Sequence, residues 1–193
     1  MPTAPRGLTR IERRAGEVAR LLLSFPAPAA TDPDHPLLRL LLAVLGAGRS
    51  SRLHRALVDE GQLCVGVATD LNESLDPGGV TVALEVLPGV EPRRAEEVLL
   101  REIDRLAASP ASADEVERAR KIALADWVFD HEKVYQQAFL VGTALALFDA
   151  DHPWRYHERL MAAGPADLVE IADRYLRPER SGVLGWSLPP APR

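Results

Sequence analysis

Two segments that alternate apolar and polar residues, with a turn sequence between them, constrain the fold of this chain most strongly. Residues 63–67 and 80–86 carry an apolar side chain at every second position, which is the period of a half-buried strand. Between them, residues 76–79 read Asp-Pro-Gly-Gly and favour a turn. The pattern predicts an antiparallel hairpin near the middle of the chain.

Helical patterns lie on both sides of this hairpin, and one further strand is predicted near each end, at residues 17–25 and 181–188. The predicted helices cover residues 37–45, 52–57, 92–109, 112–127 with a continuation or kink to 148, 154–162 and 165–176. The first is expected to end in a left-handed cap at Gly46, and Ser112 with Glu115 has the spacing of a capping box at the start of the fourth. This order lacks the strict alternation of strand and helix that a doubly wound parallel sheet requires. We therefore predict an α+β domain with a largely antiparallel sheet and helices packed on one face.

Composition excludes several classes of function. The 193 residues are 47% hydrophobic, which suffices for one ordinary core. A net charge of -5 without a basic stripe argues against a nucleic-acid partner. No uncharged apolar run approaches the roughly 18 residues of a membrane-spanning helix. The single cysteine, Cys64, rules out an internal disulfide and a multi-cysteine metal cluster, and we expect it to be a small buried apolar residue.

Residues 15–190 are predicted to form a single domain. Residues 1–14 combine prolines, a glycine and four arginines without an apolar run, so we expect a disordered lead-in or the boundary of an excised fragment, and no targeting sequence is visible there. Two strongly apolar stretches, residues 37–45 and 134–148, are expected to be buried in the core rather than to serve a partner.

No self-sufficient catalytic centre is recognisable in the residue pattern. The glycine-containing loop at residues 45–51 follows a helix and lacks the motifs of a P-loop or a dinucleotide site. Ser50 and Ser51 lie one turn before His54, but helix capping explains both serines. The acidic pairs 59–60, 96–97 and 114–115 are expected at helix ends or on solvent faces. The histidines lack metal-motif spacing and are expected on the solvated surface: His35, His54, His131, His152 and His157.

The residues around the glycine turn resemble a known family. Residues 45–53 read Leu-Gly-Ala-Gly-Arg-Ser-Ser-Arg-Leu and precede a short helix and a hairpin strand. This run is similar to the C-terminal, non-metal domain of the pitrilysin (insulinase) family of zinc peptidases, of the bacterial and mitochondrial processing-peptidase type, in which a Leu-Gly-Gly-Gly-like turn leads to Ser-x-Arg-Leu. The similarity continues through residues 17–25, 111–127 and 164–178, the last of which ends in Tyr-Leu-x-Pro.

The resemblance implies the processing-peptidase or LuxS-like metallohydrolase fold. It also implies a clamshell in which one domain or subunit holds zinc through His-x-x-Glu-His and a distant Glu, while this domain closes over an unfolded peptide. The chain lacks that motif, so we expect it to be inactive alone and without a cofactor of its own. The resemblance also implies a soluble protein of the bacterial cytoplasm or periplasm. The candidates for the glycine turn or for substrate contact are Gly46, Gly48, Ser50, Ser51, Arg52 and Arg55.

The chain departs from the family pattern at two positions. The family's second domain usually lends an arginine and a tyrosine that hold the substrate near the metal, and the match places Val58 and Val65 at these positions. Arg55 lies nearly one turn from Val58 and is a candidate substitute. Two hypotheses therefore stand: a substrate-enclosing, non-catalytic half of a zinc peptidase, and a catalytically dead structural or interaction module on the same fold.

Overall fold

The computed structural model describes residues 7–190. Five strands form one sheet: β1 Gly7–Arg14, β2 Arg20–Ala27, β3 Cys64–Leu71, β4 Gly78–Val86 and β5 Ser181–Leu188. Seven helices complete the described part: α1 His35–Gly46, α2 Arg52–His54, α3 Pro92–Ala108, α4 Ala113–Asp130, α5 Val134–Leu147, α6 His152–Ala162 and α7 Pro165–Tyr175. A π-helical turn, Arg55–Asp59, continues α2.

The sheet has the strand order β1-β5-β2-β4-β3. Every neighbouring pair is antiparallel except β1 with β5, which run parallel, so the sheet is mixed and mostly antiparallel. The predicted hairpin is formed by β3 and β4, and the last strand has the predicted bounds. The α+β prediction with a largely antiparallel sheet is confirmed.

The helices cover one face of the sheet. Along β2, Leu21 and Leu23 are fully buried under α7 and its neighbours, whereas Leu22 between them is 52% exposed. Such alternation arises because successive side chains of a strand point to opposite faces of the sheet, and only one face is covered by helices. Helix α1 lies at the centre of the helical layer, where it contacts α4, α6, α7 and β3. Residues 37–45 therefore supply core side chains, as predicted.

The start of the chain differs from the prediction. Residues 7–14 form β1, which pairs along its whole length with β5, so the expected disordered lead-in does not hold for them. The reason is pairing with a strand far along the chain, which supplies backbone hydrogen bonds that a local sequence pattern does not reveal. Residues 1–6 of that prediction lie outside the described residues.

The helical stretch after residue 112 does not continue unbroken to residue 148 but is divided into α4 and α5. Ser112 and Glu115 form the predicted capping box at the start of α4, with the Ser112 hydroxyl accepting from the Glu115 amide at 3.2 Å. Helix α4 ends before His131, and α5 starts at Val134. Residues 134–148 were expected in the core, but within α5 only Ala144 is buried. That prediction is wrong because α5 packs mainly against α6 and not under the sheet.

Candidate functional site

Two glycines shape the turn that leaves α1, and each serves a different purpose. A side chain at Gly46 would overlap Thr69 on β3, so glycine lets the end of α1 approach that strand. Gly48 has a φ of 74°, the left-handed region that favours glycine. The left-handed residue is thus Gly48 and not Gly46, where the sequence pattern had placed a left-handed cap. Ala47 leaves α1 with extended backbone instead.

Ser50 is exposed, and Ser51 is buried at the N-cap position of α2. The Ser51 hydroxyl donates to the Gly48 carbonyl at 2.8 Å and does not cap a helix amide. The explanation of Ser51 as a side-chain cap is therefore wrong; it closes the glycine turn. His54 is turned toward Asp59, with 3.4 Å between its Nδ1 and the Asp59 Oδ2. The Ser51 hydroxyl therefore makes no hydrogen bond to the His54 imidazole, which a nucleophilic serine would need as its base.

Arg52 joins the short helix to the loop before α4. Its Nε and Nη2 donate to the two carboxylate oxygens of Glu115, both at 2.8 Å. Its Nη1 and Nη2 also donate to the carbonyls of Ser109 and Pro110, at 2.9 and 3.0 Å. A planar guanidinium suits this bidentate arrangement. Because these donors are engaged inside the domain, the geometry gives Arg52 an internal bracing role, and substrate contact by Arg52 stays a prediction.

Glu115 is the partner that sequence reasoning missed. The hydrogen bonds from Arg52, aided by the Ser112 amide, lower the pKa of the Glu115 carboxyl from 4.5 to about 2. The same carboxylate raises the pKa of Arg52. The capping-box pattern identified Glu115 as a helix-start residue, but its sequence separation of 63 from Arg52 hides the ion pair from any local pattern.

Arg55 is exposed and held loosely, with 3.5 Å between its Nη2 and the Glu60 Oε1. It borders a cleft of about 380 Å³ that the short helix forms with α3 and the start of α4. The cleft is lined by Arg52, Arg55, Ala56, Glu60, Glu102, Arg105, Ser109 and Glu115. Neither Val58 nor Val65 is among these residues. The structure therefore gives no support to Arg55 as the substitute for the arginine that the family pattern places at position 58.

Val58 and Val65 lie on opposite sides of a strained connection. Val58 packs against the core, whereas Val65 is 55% exposed near the start of β3. Between them Gly61 approaches the Ala56 carbonyl so closely that no side chain fits, and Gln62 adopts a φ of 48°. Left-handed backbone costs a residue with a Cβ about 1–2 kcal/mol. The connection therefore holds α2 and β3 in a fixed relation at some conformational cost.

Strand β3 is an edge of the sheet that carries little protection against a further strand. Within the described residues it pairs only with β4, and Asp70 is its single charged residue. The opposite edge, β1, carries four charged side chains at residues 10 and 12–14. Charges are a common way to block strand addition at an edge, and exposed uncharged edges favour it. Of the two edges, β3 is the one suited to accept an extended segment.

The histidines and Cys64 do not come together in a cluster of metal-binding side chains in the described part of the chain. Across residues 7–190, no group of three or more His, Cys, Asp or Glu side chains is placed to hold a metal ion. His35 is fully buried, with 2.9 Å between its Nδ1 and the Tyr156 hydroxyl, which corrects its expected surface position. Cys64 is buried, and burial raises the pKa of its thiol to about 11, so the thiolate is suppressed at neutral pH.

Glu96, which was predicted at a helix end or on a solvent face, is buried instead. Glu96 on α3 accepts from the Trp186 indole N–H at 2.8 Å and from the Arg10 Nε at 3.0 Å. It thereby connects α3 with β5 and β1. The sequence does carry a signal for this role. Glu96 lies beside Ala95 and Leu99 in the apolar stripe of α3, and an acid in such a stripe is buried and needs partners.

The fold and this site define an α+β domain with a glycine turn and a sheet edge, β3, that carries a single charged residue. The chain matches the family described as Peptidase M16 inactive domain over residues 2–123. It belongs to this family, and the resemblance to pitrilysin-type C-terminal domains is confirmed. No curated protein sequence matches the chain significantly.

Three solved structures illustrate the similarity. The inactive peptidase domain of a candidate zinc protease from Bordetella parapertussis is 28% identical, with a TM-score of 0.83 over 94% of this chain and 96% of that chain. A protease from Helicobacter pylori is 19% identical, with a TM-score of 0.84 over 94% of this chain but only 44% of that chain.

The third is a chain of complex III2 from Candida albicans, which is 14% identical, with a TM-score of 0.77 over 95% of this chain and 46% of that one. At such identities the Helicobacter and Candida structures support the fold alone. The chain spans less than half the length of each of these two. Within the described residues, no helix is both long and apolar enough to cross a bilayer.

Proposed function

We propose that this chain is the non-catalytic half of a zinc metallopeptidase, which binds an extended peptide opposite a zinc-bearing domain or subunit of the same family. The observation that carries the proposal is the β3 edge, with Asp70 as its single charged residue, which follows the glycine turn and short helix in a domain of the M16 inactive family. Solved relatives from bacteria make the bacterial cytoplasm or periplasm part of the proposal.

Peptide binding at β3 would use main-chain hydrogen bonds. An extended peptide that adds to an edge strand gains affinity from backbone N–H and C=O groups and specificity from alternate side chains. The exposed side chains along β3 are Val65, Ala68 and Asp70. Two of the three are small and apolar, so they favour a peptide with little charge opposite them. Affinity is expected to be modest, because ordering an unfolded peptide costs entropy.

The chemistry of hydrolysis would come from elsewhere. The described residues contain no donor set that fits zinc, so we derive no catalytic step within this chain. Val58 and Val65 also provide no polar group to hold a reacting carbonyl. The domain spans under half of the Helicobacter pylori protease, which leaves room in a full-length protein for a second domain that carries the metal.

The test uses an unstructured, uncharged peptide of about ten residues and the chain either alone or within the longest natural product that contains it. Zinc content and cleavage are measured with and without a chelator, and binding is measured by titration. We expect peptide binding by both proteins, and chelator-sensitive cleavage by the longer product only. Cleavage by the chain alone, or no binding by either protein, would refute the proposal.

The location of the peptide is tested with a matched pair of variants. Val65→Lys combined with Ala68→Lys places two charges on the β3 edge, and Thr9→Lys with Ile11→Lys places two on the β1 edge. We expect the first pair to weaken binding by about tenfold or more and the second to leave it unchanged. A copy of the peptide N-methylated at every amide should also fail to bind, because it has no backbone N–H left to donate to the edge strand.

The alternative function is that of a structural or interaction module that does not bind peptide. The observation that favours it is the pair of valines, Val58 and Val65, at the positions where the family pattern expects an arginine and a tyrosine. The fold is also shared by a chain of complex III2 from Candida albicans. This alternative predicts a stable complex with a partner protein and no effect of the lysine substitutions on β3 in the peptide titration.

A further inference from the structure

Helix α5 leaves an apolar surface uncovered. We define the α5 surface by five exposed side chains at the end of α4 and along α5: Phe129, Val134, Tyr135, Phe139 and Leu145. Val134 is 80% exposed and Phe139 is 75% exposed. The helix has no charged residue over its 14 positions. Helices that are apolar all round are normally buried, and an isolated helix of this length is marginal in water. The α5 surface therefore requires a cover.

The uncovered face of the sheet offers a matching surface. Leu22 on β2 lies opposite Ala83 on β4 and Gly185 on β5, and Gly185 lies opposite Ile11 on β1. We call this row the open-face row. Leu22 and Ile11 are each more than half exposed, and no residue of the row is charged.

Gly185 makes the row concave. A Cβ built there would meet only the Leu22 carbonyl oxygen, at 3.9 Å, so core packing does not require glycine at this position. Leu22 and Ile11 lie two strand spacings apart, about 9.5 Å, on either side of Gly185. This separation is close to the diameter of a helix with its side chains, about 10 Å. Leu22 and Ile11 therefore flank a shallow depression over Gly185 that is wide enough for one helix running along β5. Two positions further along the same face, Arg13 and Arg20 mark its polar border.

We propose that two copies of this chain pair reciprocally, with α5 of each copy lying on the open-face row of the other. Both complementary surfaces are present on one chain, which is the requirement for a twofold, self-complementary interface. The proposal concerns the chain in the absence of the zinc-bearing domain. It does not depend on peptide binding, because neither surface includes the β3 edge.

The exposed area is large enough for a dimer. Aromatic side chains bury about 150–250 Å² each when covered. Phe129, Tyr135 and Phe139, together with the aliphatic residues of the α5 surface and the open-face row, therefore reach about the 800 Å² per partner of a standard interface. A lipid surface is a poorer occupant, because helices that lie on membranes carry Lys and Arg on a polar face and α5 has none.

Sedimentation of the purified chain tests the proposal at concentrations up to about 100 µM. We expect a concentration-dependent dimer. Phe139→Glu and Leu22→Arg should each raise the dimer dissociation constant about tenfold or more, since each disrupts both copies of the contact. Mixing the two variants should restore dimers, because the mixed pair keeps one contact in which both surfaces are unchanged.

Leu75→Glu is the matched control, since Leu75 is exposed and apolar but lies in the turn between β3 and β4. It should leave the dimer unchanged, and circular dichroism establishes that every variant is folded. A chain that stays monomeric, or a dimer insensitive to both Phe139→Glu and Leu22→Arg, would overturn the proposal. The proposal would also be overturned if a mixture of the Phe139→Glu and Leu22→Arg chains dimerised no more tightly than each variant alone. A reciprocal contact requires the mixed pair to be the tighter one, because it keeps one unchanged contact.

Discussion

Arg52 and Glu115 form a two-pronged ion pair that connects the short helix after the glycine turn to the first turn of α4. Their side chains are only 13% and 18% exposed, so water screens the pair weakly. The pair also brings together two sequence features, the Ser-x-Arg-Leu run and the capping box, that are separate in the chain. Within the domain, the arginine of the Ser-x-Arg-Leu run is a brace, and its contact with substrate stays a prediction.

Removing the arginine of this brace should destabilise the domain. We expect Arg52→Met, which keeps the apolar stem, to lower the free energy of unfolding by about 2–3 kcal/mol, because Glu115 and two carbonyls lose charged donors. Arg105→Met is the control, since the Arg105–Glu102 pair is largely exposed on the arginine side and should cost about 0.5 kcal/mol or less. Urea unfolding measures both, and equal losses would contradict the assigned role of Arg52.

Acid should weaken the same brace within a defined pH range. The folded-state pKa of Glu115 lies at about 2 and its ordinary value is 4.5. A lowered folded pKa contributes stability that is complete above the unfolded value and is lost as pH falls toward the folded value. Between about pH 4.5 and pH 2, the unmodified chain should therefore lose stability more steeply than Glu115→Gln. Unfolding free energies measured across this range test the expectation, and parallel curves would disprove it.

The sequence predicted those parts of the fold whose causes are local. Alternation defined β3 and β4, the last strand was predicted at the bounds of β5, and the Ser112–Glu115 spacing located the start of α4. Strand β1 was missed because half of its eight residues are charged and its partner β5 lies near the other end of the chain. Its pairing therefore has no local pattern.

The candidate site was predicted less completely for the same physical reason. The glycine turn was recognised, but the roles of Ser51 and Arg52 depend on Gly48 and on the distant Glu115. For α5 the limit is different. Its apolar composition indicates burial, but composition does not say whether the cover is the domain's own sheet or another molecule.

Glu96 should hold β1 to the rest of the domain. We expect Glu96→Ala to cost about 2–3 kcal/mol, because the buried Trp186 indole N–H loses its acceptor and Arg10 loses its ion pair. Glu97→Ala, at the exposed neighbouring position, is the matched control and should have little effect. Hydrogen exchange should also accelerate in residues 7–14. Unchanged exchange there, despite a loss of overall stability, would show that Glu96 does not anchor β1.

Among residues 7–190, Gln62 is the one non-glycine residue with left-handed backbone. Its φ of 48° crowds the Cβ, and the position fixes the connection between the short helix and β3. Gln62→Gly should therefore stabilise the domain by up to about 1 kcal/mol, the relief of crowding being partly offset by a more flexible unfolded chain. Gln62→Ala removes the same polar group but keeps the Cβ, so it should give no such gain. Thermal and urea unfolding of both variants measure the difference, and equal stability of the glycine and alanine variants would show that the backbone at Gln62 is not strained.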